Sequence, residues 1–231
     1  MNPCGNRSKS RYPYCECGIY SIKDFMHTKN IMTAGKGVAM ADRALILVHG
    51  RGSSAADILS LADYLPVKEY ALLAPQAARN SWYPYSFLVP PAENQPWLGS
   101  ALDLLAAVTA DVVAAGIARE RIYFAGFSQG ACLTLEFVAR NAARYGGVAA
   151  FTGGLIGDRI YEENYKGDFA GTPFFIGTGN PDPHVPLERV EATTRLLRGM
   201  GAEVKEKVYP GIPHTIVADE LEQAGKVAFA R

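Results

Sequence analysis

The amino-acid sequence predicts an α/β chain: a doubly wound, mostly parallel sheet with helices on both faces. Two observations carry this expectation. From about Arg43 onward, short β-branched or aromatic apolar runs alternate with longer segments of helical period. Strand, helix, strand at that rhythm means parallel strands with both faces covered. With 231 residues, 48% of them apolar, the chain is also long and apolar enough for one sizeable core.

The elements follow in order. A strand is expected over 45–48, then a helix over 54–65, where Ser54 and Asp57 stand three apart like a capping box. Ile58, Leu61 and Leu65 share one face of that helix. A second strand covers 70–73. After it comes an irregular connection over 77–97 holding four prolines and five aromatics, more than a plain crossover needs. The next helix, 98–115, carries Leu102, Leu105, Val108 and Val112 on one face. A strand over 122–127 leads into a helix over 129–142, and strands follow over 148–151 and 174–176. The helix over 187–200 meets stop signals at Gly199 and Gly201. The run 204–209 is the least apolar and alternates as an edge strand does. A helix over 219–229 closes the chain. The expected organisation is one domain over 26–231, preceded by a poorly ordered extension over 1–25, with Met26 or Met32 as alternative beginnings. The stretch between Phe151 and Phe174 is too short for a large lid domain.

Composition removes several function classes. Lys and Arg number 23 against 23 Asp and Glu, and a net charge of zero argues against a nucleic-acid binder. No uninterrupted apolar stretch approaches the ~20 residues of a membrane span. The first residues lack an apolar core, so no secretory signal is expected and the setting is read as cytoplasmic. Three of four cysteines (Cys4, Cys15, Cys17) precede residue 18 and Cys132 stands alone, a usage that fits a reducing compartment. Adding His27 to the three makes a nominal zinc set, but its spacing matches no common pattern, so no metal is expected.

In a parallel sheet of this kind, ligands sit beyond the C-terminal ends of the strands. There lies Gly126-Phe127-Ser128-Gln129-Gly130, a GxSxG turn between a strand and a helix, the context in which that motif acts as a nucleophile elbow. The turn is so tight that side chains at Gly126 and Gly130 would collide with backbone. A serine hydroxyl needs a base, and the base an orienting acid. Of four histidines, His214 follows the strand over 204–209 and stands at the correct edge as general base. His49 reads as structural, His27 lies in the tail, and His184 shares a loop with an acid candidate. Asp182, directly after the strand over 174–176, is the acid; Asp158 is the second candidate, and Asp168 precedes its strand and emerges at the opposite edge. Backbone N–H groups of Gln129 and of the glycine-rich run 49–52, foremost Arg51, are the expected oxyanion donors. The rings of Trp82, Tyr83, Tyr85 and Phe87 are expected to wall the substrate pocket, with Trp97 nearby.

The segments LILVHGRG (45–52), LLAPQA (72–77), GFSQGACLTL (126–135), GTGNPDPHVP (177–186) and YPGIPHT (209–215) resemble, in combination, the phospholipase/carboxylesterase family of α/β-hydrolases. The resemblance runs from about Leu45 to the end, departing over 1–25 and 84–97. It implies an α/β-hydrolase fold and a Ser128–Asp182–His214 triad, with Arg51 and Gln129 amides at the oxyanion. It implies hydrolysis of a small-molecule carboxylic ester through an acyl-enzyme and without a cofactor, and the aromatic cluster of the connection over 77–97 suits small acyl or aromatic esters. Acyl-thioesterase or lysophospholipase action on the same triad is the alternative. A non-catalytic ligand-binding protein of this fold is the rival from outside enzymes, and a homodimer is one assembly the sequence leaves open.

Overall fold

A computed structural model describes residues 26–230. The extension expected over 1–25 lies outside the described residues, and Cys4, Cys15 and Cys17 with it. The described residues build a seven-stranded sheet from β1 (Ile31–Gly35), β2 (Ala44–Val48), β3 (Ala71–Pro75), β4 (Ile122–Phe127), β5 (Gly147–Phe151), β6 (Pro173–Asn180) and β7 (Glu203–Pro210). Their order is β1-β3-β2-β4-β5-β6-β7. All neighbours pair in parallel except β1, which runs antiparallel to β3 with Ile31 opposite Pro75. The helices are α1 (Ala55–Leu59), α2 (Trp97–Ala114), α3 (Gln129–Arg140), α4 (Leu187–Gly199) and α5 (Ala218–Ala224).

Side-chain alternation along the central strands sends residues to two cores. Ala44, Ile46 and Val48 of β2, with Ile122 and Phe124 of β4, face α2, α3 and α4. Leu45, Leu47, Tyr123 and Ala125 face α1, α5 and Phe229. A two-residue period therefore feeds both layers, which is why these strands read as unbroken apolar runs. Helix α3 is buried along its whole length from Gln129 to Ala139. Helix α2 spans 18 residues at a mean hydropathy of 1.5, enough by length and composition to cross a membrane. Here it packs Leu98, Ala101, Leu105, Val108 and Val112 into the core.

The structure departs from expectation in three places. Strand β1 was not anticipated, because IMTAG buries little: only Ile31 is partly covered, and pairing to β3 holds it in place. Met32 lies inside this strand. The helix expected over 54–65 is α-helical only to Leu59 and continues as a 3-10 turn over Ser60–Tyr64. Its capping box is formed as expected, with Ser54 Oγ accepting from Asp57 N at 3.2 Å and Ser54 N donating to the Asp57 carboxylate at 2.9 Å. The Ser60 hydroxyl then donates back to Asp57 O at 2.7 Å, a local bond that competes with the helical ladder. The last helix widens into a π-helical turn over Gly225–Phe229. That turn seats Phe229 against Tyr123 at 6.0 Å and brings its carbonyl oxygen to the Tyr70 hydroxyl, 3.2 Å away.

Gly147, at the start of β5, packs flat beneath the carbonyl of Ala228 in that turn. Gly147→Ala should therefore cost roughly 1–3 kcal/mol by overpacking. The expected readout is a lower urea midpoint at unchanged slope; an unmoved midpoint would mean that the π-helical turn gives way freely.

Candidate active site

The loops after β2, β3, β4, β6 and β7 converge on one edge of the sheet, and the elbow after β4 is their centre. A side chain on Gly130 would overlap the carbonyl oxygens of Val48 and His49, and one on Gly126 would meet the Gly130 carbonyl. This close approach forces Ser128 to φ 55°, ψ −120°, a conformation non-glycine residues seldom adopt. Ser128 N still donates to Phe151 O at 2.9 Å, so the strained residue is held from the β5 side.

The strain aims the hydroxyl at His214. Ser128 Oγ lies 2.7 Å from His214 Nε2, and His214 Nδ1 lies 2.7 Å from Asp182 Oδ2. An ionised carboxylate only accepts, so Nδ1 carries the proton toward Asp182 and Nε2 is left to accept from the serine. The Asp182 side chain is fully buried and that of His214 is 18% exposed. Burial pushes the Asp182 pKa up. Donation from His184 N (2.8 Å), His214 and Val185 N (2.9 Å) outweighs burial and holds the carboxyl below its usual value. The His214 ring is flanked by Phe127 at 5.2 Å and, edge-on, by His184 at 5.0 Å.

Asp158 is not part of this constellation: it is exposed and accepts from the Tyr161 hydroxyl at 2.7 Å. Asp168 accepts from Ala170 N on the approach to β6, at the opposite edge. His49 is fully buried, with Nδ1 donating to Gly50 O (2.7 Å) and Nε2 accepting from Ala77 N (3.1 Å). His27 is no tail residue. Its Nδ1 accepts from Ala78 N at 3.1 Å and its Nε2 donates to Trp82 O at 2.9 Å, so both ring nitrogens are engaged within the fold. Burial lowers the pKa of His27 and of His49. Among the described residues no cluster of histidine, cysteine and acidic side chains could hold a metal.

The amide of Gln129 is the first of α3, where no intrahelical acceptor exists for it. The loop carrying Arg51 lies against the elbow: a side chain on Gly50 would stand 3.5 Å from Ser128 Cβ. In front of Ser128 opens a cavity of about 530 Å³, within the usual range for small-molecule sites. Tyr83, Tyr85 and Phe87 line it, with Arg51, Gln129 and His184. Trp82 does not, and the expectation that it contacts substrate is corrected. It is 0% exposed, lies 5.3 Å from the His27 ring and 5.0 Å from the His49 ring, and donates its indole N–H to His49 O at 2.8 Å. It supports the loop from beneath.

Two buried acids escaped sequence reading, since apolar periodicity does not reveal them. Glu136 of α3 is fully buried, accepting from Tyr165 Oη (2.8 Å), Ile156 N (3.1 Å) and Arg140 Nε (2.6 Å). Glu220 of α5 is 1% exposed and packs on Gly177 of β6. One of its oxygens accepts from Val217 N at 2.9 Å, while the other has no partner. Burial accordingly pushes its pKa up to about 7.

A strained serine at a strand–helix turn, with its histidine and acid on later loops of a mostly parallel sheet, defines an α/β-hydrolase. The profile of the phospholipase/carboxylesterase family matches residues 33–227, and the chain belongs to that family. A phospholipase/carboxylesterase from Dyadobacter fermentans DSM 18053 of known crystal structure is 55% identical, with a TM-score of 0.86 over 87% of this chain and 97% of that one. Acyl-protein thioesterase 1 of Gibberella zeae is 34% identical over 110 residues, so the chain spans about half its length (47% of each). Acyl-protein thioesterase 1 of Eremothecium gossypii is 29% identical over 202 residues, covering 80% of this chain and 86% of that one.

The Glu220 carboxyl generates a stability prediction. Its folded pKa of about 7 exceeds the usual 4.5, so the folded state binds the proton more tightly than the unfolded chain does. Wild-type stability should therefore fall as pH rises through that interval. Glu220→Gln keeps the shape and an acceptor for Val217 N–H but carries no such slope. Its stability advantage, from urea unfolding at a series of pH values, should grow across the interval and level off above it. A gap independent of pH would refute the assignment.

Proposed function

We propose that this protein is a serine hydrolase cleaving small acyl or aromatic carboxylic esters through an acyl-enzyme, with Ser128 as nucleophile, His214 as general base and Asp182 as orienting acid. The observation that carries the reading is the hydrogen-bonded chain Ser128–His214–Asp182, two links of 2.7 Å each, at the mouth of an aromatic-walled cavity. Ser128 Oγ attacks the substrate carbonyl while His214 Nε2 takes its proton. The backbone N–H groups of Gln129 and Arg51 stabilise the oxyanion of the tetrahedral intermediate. The imidazolium then protonates the departing alcohol, and water, deprotonated by His214, attacks the acyl-enzyme to release the acid and free Ser128. Asp182, kept ionised by its amide donors, fixes the imidazole tautomer throughout.

A thioester substrate runs through the same steps with a thiol leaving group. This second reading draws on the relatives named acyl-protein thioesterase. The cavity favours the first: Tyr83, Tyr85 and Phe87 form a wall suited to short or aromatic groups.

On p-nitrophenyl esters from acetate to palmitate, turnover should peak at short chains, and Ser128→Ala should abolish it while leaving the fold intact. A long-chain optimum would transfer the assignment to thioesterase or lysophospholipase action. Residual turnover above about a tenth in Ser128→Ala would remove the nucleophile role. Asp182→Asn should lower kcat on the order of 10⁴-fold, as loss of the correct tautomer does in a serine triad. A loss of less than about tenfold would assign the orienting role elsewhere.

A further inference from the structure

Arg51 and Gln129 come from different elements, the loop after β2 and the start of α3, yet their side chains reach the same stretch of chain, 81–85. Arg51 Nη1 donates to Pro84 O at 2.9 Å and to Ser81 Oγ at 3.2 Å, and its Nη2 donates to Tyr85 O at 2.7 Å. Gln129 Oε1 accepts from Trp82 N at 3.0 Å, and its Nε2 donates to Tyr83 O at 2.9 Å. Four consecutive residues, 82–85, thus each have a backbone polar group held by one of these two side chains. The Arg51 guanidinium also lies 5.9 Å from the centre of the Tyr83 ring.

Backbone groups withdrawn from water need partners, and a loop outside any ladder must find them elsewhere. This loop finds them on the two residues whose amides are the proposed oxyanion donors. It is also the cavity wall, since Tyr83 and Tyr85 line the space in front of Ser128. Beneath it, the Trp82 indole is tied to His49 O, two residues before Arg51.

We propose that Arg51 and Gln129 are positioning residues: their side chains clamp the cavity wall to the oxyanion loop and to the nucleophile helix. Wall and oxyanion amides then move as one body, and stabilisation of the tetrahedral intermediate depends on how the wall is held. The inference rests on the serine-hydrolase reading and deepens it. It assigns these side chains a function apart from the backbone role.

The test compares Arg51→Lys, which keeps the charge but loses the planar fork, and Gln129→Met, which keeps the length but loses both bonds, with the double variant. Arg51→Gln replaces Arg51→Lys should the latter fail to fold. Three quantities are measured: kcat and KM on p-nitrophenyl acetate, whose short acyl group draws little binding from the wall; affinity for phenylboronic acid, whose serine adduct mimics the tetrahedral intermediate; and Tm. Each single variant should lose roughly 10- to 100-fold in kcat, with KM within about threefold of wild type. Boronate affinity should fall by the same factor as kcat. The double variant should lose no more than the worse single one, because both act through one wall. Unchanged boronate affinity in either variant, or losses that multiply in the double variant, would overturn the proposal. Its failure leaves wild-type turnover intact, whereas wild-type protein with neither turnover nor boronate binding would sink the hydrolase reading itself.

Discussion

The close approach of helix α3 to the end of strand β2 sets the geometry on which the rest of the site depends. Gly130 sits under the Val48 and His49 carbonyls with no room for a side chain, and the chain before it turns sharply enough to place Ser128 at φ 55°. Such backbone persists only where its surroundings over-determine it. Here an entirely buried helix, a central strand and the bond from Ser128 N to Phe151 O supply that constraint. The same contact brings the loop 49–52 alongside the serine. The proposed nucleophile and the proposed oxyanion donors are therefore consequences of one packing event.

Two buried carboxyls near this edge show how hydrogen-bond number decides protonation. Asp182 meets two backbone N–H groups and an imidazole, and its pKa falls despite burial. Glu220 meets a single backbone N–H and leaves one oxygen unpartnered, and its pKa rises. The first is suited to hold a positive imidazolium; the second is a neutral group in the folded state at mildly acidic pH. Desolvation acts on both, and the local donors select the outcome.

The aromatic connection is organised by the same logic. Trp82, the most buried of its rings, serves as a plinth on the His27 and His49 side. Its neighbours Tyr83 and Tyr85 face the cavity, and the backbone joining them is held by Arg51 and Gln129. Successive residues of one short loop thus divide between support and lining. Arg51 is exposed, yet its fork closes on carbonyls of the loop.

Much of this was legible in the sequence, for identifiable reasons. Among the described residues, six of the seven strands and all five helices were visible because buried strands are apolar runs and helices repeat every 3.6 residues. Strand β1 escaped because an edge strand that buries almost nothing carries no such pattern. The elbow was readable because steric clearance at Gly126 and Gly130 is a local demand written as glycine. The order of strands excluded Asp168, which precedes its strand, but Asp158, His49 and His184 also follow strands at the C-terminal edge, so position there could not by itself separate them from Asp182 and His214. What the tertiary structure alone decided was contact between residues distant in sequence: that His27 belongs to the fold, that Trp82 supports rather than lines, that Glu136 and Glu220 are buried, and that two side chains hold the cavity wall. Periodicity reports which face of an element is buried. It does not report which partner lies across it, because that depends on how loops from separate strands pack against one another.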